Sequence, residues 1–292
     1  MAKTATTTRI SGLREIAADF DGYLIDLWGT VHNGIAPLPG APECLAALKQ
    51  AGKRVCLLSN APRRVRAVTA RLDEMGIPRS SYDHAMSSGE AAHRALRDRN
   101  DPWHAALGTR CFHLGPARDN DVRDDAGLEI VADLDEADFV LATGIDDYAD
   151  TIEKYEPVLA AASARALPMI CANPDLVVIV GEQMSICAGM FAKRYEELGG
   201  SVFYHGKPHP SVYRTCLDLL GVAPARVLGI GDSLRTDIAG AAAAGLHSLL
   251  LEEGIHGEEL AAAPGTGVDE RLAVLATREG AAPTYVAGRM VW

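Results

Sequence analysis

Short apolar runs alternate with stretches whose apolar positions recur every three to four residues, and the alternation extends over most of the chain. Residues 22–27 predict a strand, 41–51 a helix, 53–58 a strand and 62–75 a helix with arginines on its outer face. The pattern returns late, with strands at 201–204, 226–230 and 247–251 separated by helices at 211–220 and 234–244. Strands spaced by helices predict a parallel sheet, because parallel neighbours need a crossover. In such sheets ligands bind beyond the carboxyl ends of the strands, so those ends are where chemistry is sought.

The middle of the chain also alternates, but turn clusters interrupt it at Asn100-Asp101-Pro102, Asp119-Asn120-Asp121 and Ala172-Asn173-Pro174-Asp175. The predicted fold class is therefore α/β: a Rossmann-like doubly wound parallel sheet built from 1–86 and 188–292, with a smaller α/β cap domain, 87–187, inserted in it. Residues 261–267, Ala-Ala-Ala-Pro-Gly-Thr-Gly, read as a surface loop, and no fixed-period repeat is visible.

Composition narrows the partners. The 292 residues are 48% hydrophobic and 23% charged, the proportions of a globular protein. Twenty-eight basic against 39 acidic side chains leave a net charge of −11. An acidic chain without a basic block repels nucleic-acid backbones and anionic membrane surfaces, while a local site or a metal can still attract a small anion. The expected partner is thus a small molecule, with no nucleic acid and no membrane. No signal-like or membrane-length apolar segment is visible, and the six cysteines form no C-x-x-C pair, which together predict a cytoplasmic protein with reduced core thiols.

Four clusters fall at strand ends. Asp26-Leu27-Trp28-Gly29-Thr30 follows the first strand, Ser59-Asn60 the second, Gly206-Lys207-Pro208 the third, and Gly231-Asp232-Ser233-Leu234-Arg235-Thr236-Asp237 the fourth. They supply a carboxylate nucleophile, a hydroxyl and an amide to hold an anion, a lysine to offset charge, and a carboxylate pair for a divalent metal. Phosphoryl transfer asks for those parts, because its transition state needs positioning and charge stabilisation above all. Asp19-Phe20-Asp21-Gly22 is a rival first cluster with two aspartates, but it follows a helix-like stretch and has Tyr23 where Asp26 has Thr30.

In that order the clusters resemble the haloacid dehalogenase superfamily, whose pattern is D-x-D-x-[TV], S/T, K and G-D-x-x-x-T-D. Ser-Ser-Gly-Glu-Ala-Ala at 87–92, Asn-Pro-Asp at 173–175 and Gly-Lys-Pro-His-Pro at 206–210 resemble its class IIA, the NagD-like subclass with a large α/β cap. The resemblance implies that Asp26 attacks phosphorus to form an aspartyl-phosphate that water hydrolyses. It implies that Ser59 and the backbone around Asn60 grip the phosphoryl oxygens beside Thr30, that Lys207 pairs with Asp26, and that Asp26, Asp232 and the Trp28 carbonyl bind Mg2+ with Asp237 behind them. Arg63, three residues after Asn60, is a candidate to reach an anionic substrate. A homodimer through the cap is also expected.

One position departs from the pattern. The second aspartate of the superfamily's phosphatases, which protonates the leaving alkoxide and then activates water, is Trp28 here, and an indole exchanges no proton near neutral pH. General acid–base help is worth roughly 10²- to 10⁴-fold, so a slow phosphatase or a substitute such as His32 is expected; the alternative for His32 is an exposed loop histidine. An aromatic at this place also resembles the superfamily's dehalogenases, whose halide leaves without a proton. A weakly active protein that binds phosphorylated ligands is the third reading. The retained acidic motif at 231–237 favours phosphate chemistry, with a sugar or nucleotide phosphate as the expected kind of substrate.

Overall fold

The computed structural model describes residues 7–180, 183–261 and 267–292; most of the loop expected at 261–267 lies outside the described residues. The strands in chain order are β1 (Thr8–Arg9), β2 (Gly22–Ile25), β3 (Arg54–Ser59), β4 (His84–Ser87), β5 (Arg110–Leu114), β6 (Glu129–Val131), β7 (Phe139–Ala142), β8 (Met169–Cys171), β9 (Val177–Val180), β10 (Gln183–Ile186), β11 (Val202–Tyr204), β12 (Val227–Gly231), β13 (His247–Leu251) and β14 (Tyr285–Ala287). They form two parallel sheets and one hairpin, in two units: residues 1–59, 69–85 and 207–292, and residues 60–68 and 86–206.

The first unit holds a seven-stranded sheet in the order β1-β14-β13-β12-β2-β3-β4. Its centre is made of strands buried along their whole length: Gly-Tyr-Leu-Ile in β2 and Val-Leu-Gly-Ile-Gly in β12. Continuous apolar runs of this kind mark strands covered on both faces. β2 pairs in parallel with β12 on one side (Ile25 opposite Ile230) and with β3 on the other (Ile25 opposite Leu57). The loops after three adjacent strands therefore leave the same edge of the sheet. β1 and β14 extend the sheet by a short parallel pair, Thr8 opposite Tyr285, which the sequence pattern does not predict. The stretch before β2 forms two 3-10 turns, Leu13–Glu15 and Ala17–Asp19, so Asp19 does not end a strand.

The second unit has the sheet β11-β8-β7-β5-β6 and the antiparallel hairpin β9-β10. Alternate residues of β7 face opposite layers. Val140 and Ala142 pack with Leu159, Phe191 and Tyr195 of the helices Ile152–Ala164 and Ala188–Glu197. Phe139 and Leu141 pack with Ala92 and Leu96 of the helix Ser88–Asp98. The sequence pattern returns the chain to the first sheet at 188, yet Ala188–Glu197 and β11 belong to the second unit, because β11 pairs with β8 (Val202 opposite Met169). That pairing joins strands about thirty residues apart, and no local turn signal reports it.

Candidate active site

Asp26 is the first residue beyond β2 and is held to the neighbouring strand by its N–H, which donates to the Ile230 carbonyl at 2.9 Å. Its carboxylate accepts a hydrogen bond from Lys207 Nζ, which also donates to Asp237 Oδ1 at 2.7 Å. Lys207, Asp26 and Asp237 are all buried, at 4%, 6% and 6% exposure. Asp232, one residue beyond β12, completes the group: one ligand oxygen from each of Asp26, Asp232 and Asp237 lies within 4.8 Å of the others.

The backbone is shaped around these carboxylates. Gly231 has no side chain where a Cβ would overlap Asp237, and Gly29, at φ +80°, leaves the space that Asp232 fills. Leu234–Ile238 forms a π-helical turn, a widened turn frequent at functional sites, with Asp237 and Ile238 N–H both donating to the Ser233 carbonyl at 3.0 and 3.1 Å. Ser233 N–H donates to Asp237 Oδ2 at 3.1 Å, and Ile255 N–H donates to Asp232 Oδ2 at 2.8 Å. Behind them, Leu234 N–H donates to His256 Nε2 at 3.2 Å. The 252–256 loop was missed in the sequence reading, although it follows β13 and so obeys the same strand-end rule as the four clusters.

Lys207 donates to two of these three buried carboxylates, Asp26 and Asp237. Burial lifts Asp232 well above the usual carboxylate range, and the charges of Asp26 and Asp237 push it the same way. The donor set is all oxygen, compact and short of positive charge, which fits a small hard divalent cation such as magnesium.

Ser59 is buried at the end of β3, beside the strand that carries Asp26. The Thr30 hydroxyl is buried with no hydrogen-bond partner, and Thr30 borders a cavity of about 70 Å³ together with Gly29, Leu38, Leu251 and Gly254. Asn60 and Arg63 belong to the second unit. There Asn60 Nδ2 donates to Asp175 Oδ1 at 2.9 Å and its Oδ1 accepts from Ser88 Oγ at 3.0 Å, while Arg63 Nε pairs with Asp119 at 3.0 Å. The Asn60 side-chain amide is thus engaged at both ends, its nitrogen with the 173–175 turn and its oxygen with Ser88.

Trp28 is half-buried, and its indole lies over Gly34, whose φ of +88° and missing Cβ make the room. The ring meets His32 edge-on, with centroids 5.6 Å apart. His32 is 7% exposed, which corrects the expectation of an exposed loop histidine, and its Nδ1 accepts the Gly34 N–H at 3.0 Å. Burial, reinforced by the Arg71 charge, pushes its pKa down to about 4, so it is a neutral imidazole at physiological pH and not a ready acid.

Two family models match the chain: a haloacid dehalogenase-like hydrolase model over residues 23–129 and a HAD-hydrolase-like model over 204–286. A haloacid dehalogenase-like hydrolase from Brucella suis 1330 superposes with a TM-score of 0.82 at 31% identity, over 97% of this chain and all of that one. The glycerol-3-phosphate phosphatase of Gallus gallus is 29% identical over 266 residues, 83% of this chain and 82% of its own. NagD from E. coli K-12, at 22% identity, shares the fold, with a TM-score of 0.67 over 92% of this chain and 96% of its own. The chain belongs to the haloacid dehalogenase-like hydrolases.

Proposed function

We propose that this hydrolase is a magnesium-dependent phosphatase that acts on a small phosphorylated metabolite through an aspartyl-phosphate on Asp26. The observation that carries the reading is the group Asp26, Lys207, Asp232 and Asp237, buried at the ends of β2 and β12. The phosphatase activity of relatives such as the Gallus gallus enzyme supports the same chemistry.

In this mechanism Lys207, fixed by Asp237, keeps Asp26 ionised and aims it at phosphorus, and its ammonium offsets charge on the transferring phosphoryl group. Asp26, Asp232 and the main-chain carbonyl of Trp28 would hold magnesium, which when bound neutralises phosphoryl charge. Ser59 would donate to a phosphoryl oxygen from the neighbouring strand end. The second unit, with its own sheet and core, would act as the specificity-determining cap, and the expected substrates are sugar or nucleotide phosphates. Six buried free thiols support a cytoplasmic setting, and no helix among the described residues is long and apolar enough to cross a membrane.

The buried acidic group disfavours haloacid dehalogenation, since halide displacement has no use for a cluster of carboxylates that demands a cation. The test is a phosphate-release screen over sugar, nucleotide and aryl phosphates with and without magnesium, with hydroxylamine trapping of the acyl phosphate. Magnesium-dependent release that disappears in Asp26→Asn is expected. Turnover of a 2-haloacid in excess chelator would overturn the reading.

A further inference from the structure

The residue two after Asp26 faces a chemical task that its side chain cannot do. The Trp28 indole carries an N–H that does not ionise near neutral pH, and the ring is laid over Gly34 and against His32. His32 does not replace the missing acid, since its Nδ1 already accepts the Gly34 N–H. Of the carboxylates grouped with Asp26, Asp232 accepts from Ile255 N–H, and Asp237 accepts from Ser233 N–H and Lys207. Lys207 is spent on two carboxylates. Among the described residues, these groups around Asp26 thus position it or balance charge, and none of them is set to hand a proton to a departing oxygen.

We infer that the site selects phosphorylated compounds whose leaving oxygen departs as a stable anion, acyl phosphates or phosphoanhydrides, over alkyl phosphate esters. The inference rests on the phosphatase reading above and narrows its substrate class: nucleoside di- and triphosphates, which are phosphoanhydrides, stay within it, while sugar phosphates and nucleoside monophosphates, which are alkyl esters, become poor substrates. In the first step an Asp26 carboxylate oxygen forms a bond to phosphorus while the bond from phosphorus to the leaving oxygen breaks. The electron pair goes with that oxygen, which leaves unprotonated. In the second step water forms a bond to phosphorus and the aspartyl oxygen–phosphorus bond breaks. Asp26 returns as a carboxylate, and both protons of the water leave on the released dihydrogen phosphate. An alkoxide is a poor leaving anion, so the first step penalises alkyl esters. With no base to take a proton from water, the second step becomes the slower one for good leaving groups.

The test uses the whole chain with magnesium and a series of substituted phenyl phosphates, which differ in leaving-group acidity at nearly constant size. Across the series kcat/KM should fall at least about tenfold from nitrophenyl to methoxyphenyl phosphate, with a burst of nitrophenolate before steady state. Glycerol 3-phosphate should lie about a hundredfold or more below nitrophenyl phosphate. Trp28→Asp should flatten the series and Trp28→Asn should not, with a thermal melt to establish folding; if Trp28→Asp does not fold, the wild-type slope decides alone. The larger kcat/KM between acetyl phosphate and inorganic pyrophosphate tells the acyl from the anhydride source. A flat series, or glycerol 3-phosphate turned over as well as nitrophenyl phosphate, overturns the inference and leaves the phosphatase reading standing. No turnover of any of these compounds overturns both.

Discussion

The two units bury acidic side chains under opposite terms. In the second unit Glu90 is 6% exposed and is met by Arg64 at 2.7 Å and Arg94 at 2.9 Å. Burial alone would raise its pKa, but the two arginines outweigh it and hold the carboxyl at about 2. Asp119, hydrogen-bonded to Arg63, is lifted by burial to about 6. In the first unit Lys207 donates to Asp26 and Asp237, and burial together with like charge lifts Asp232 beside them well above the ordinary range. The number of cations per buried carboxylate therefore separates the two regions. A balanced group holds a helix and its neighbours in place; an unbalanced one stores a demand for positive charge, which a metal or a substrate site can use.

The largest effect should come from the unbalanced side. Asp26→Asn removes the nucleophile with little change of shape, so phosphate release should fall by about four orders of magnitude or more. Wild-type rates in that variant would shift the nucleophile to another residue. Asp232→Asn comes next. It removes one of three like charges, so the metal-free protein should melt at a higher temperature, while activity falls about a hundredfold and the rise in melting temperature on adding magnesium disappears. A lower metal-free melting temperature, or an undiminished response to magnesium, would show that the carboxylates are balanced by groups other than Lys207.

Legibility in the sequence divides along the same line. The strand ends that carry Asp26, Ser59, Asp232 and Asp237 were readable because each follows a continuous apolar run, and a central parallel strand has little other way to be written. The Lys207 bond to Asp26 links residues 181 apart in the chain, and only the family resemblance suggested it. β1, at two residues, is too short for any period, and the placement of Ala188–Glu197 depends on which sheet accepts β11. Asn60 illustrates the limit of composition. Its side-chain partners Ser88 and Asp175 lie 28 and 115 residues away, and that pairing is visible only in the fold.

On the balanced side, Glu90→Gln leaves the half-buried Arg64 without its carboxylate and should destabilise the protein by about 3 kcal/mol in urea denaturation. The pH dependence has a defined sign. A carboxyl held at about 2 in the folded state, against 4.5 for an ordinary glutamate, contributes stability in full above the higher value. That contribution is lost as pH falls through the window between them, and the variant should lack this part of the acid sensitivity. Hydrolysis of nitrophenyl phosphate by the folded variant should stay within a few-fold of wild type. A large catalytic loss with an unchanged denaturation midpoint would make Glu90 part of the reaction and dissolve the contrast between the two regions.

The smallest expected effect separates neutral hydrogen bonding from charge balance within the same helix. Ser87 is the N-cap of Ser88–Asp98 and is fully buried; its Oγ accepts the Glu90 N–H at 3.1 Å and donates to the Arg63 carbonyl at 2.5 Å. Ser87→Ala removes both bonds, leaving one N–H of the first helical turn and one carbonyl without that partner, and should cost about 1 kcal/mol, the usual value for a lost cap. No charge is altered, so the loss should be the same at pH 7 and at pH 4, unlike that of Glu90→Gln. If the cost of Ser87→Ala instead shrinks on acidification in parallel with Glu90→Gln, the serine acts by holding Glu90 against its arginines, and the cap and the ion pairs are one cooperative unit.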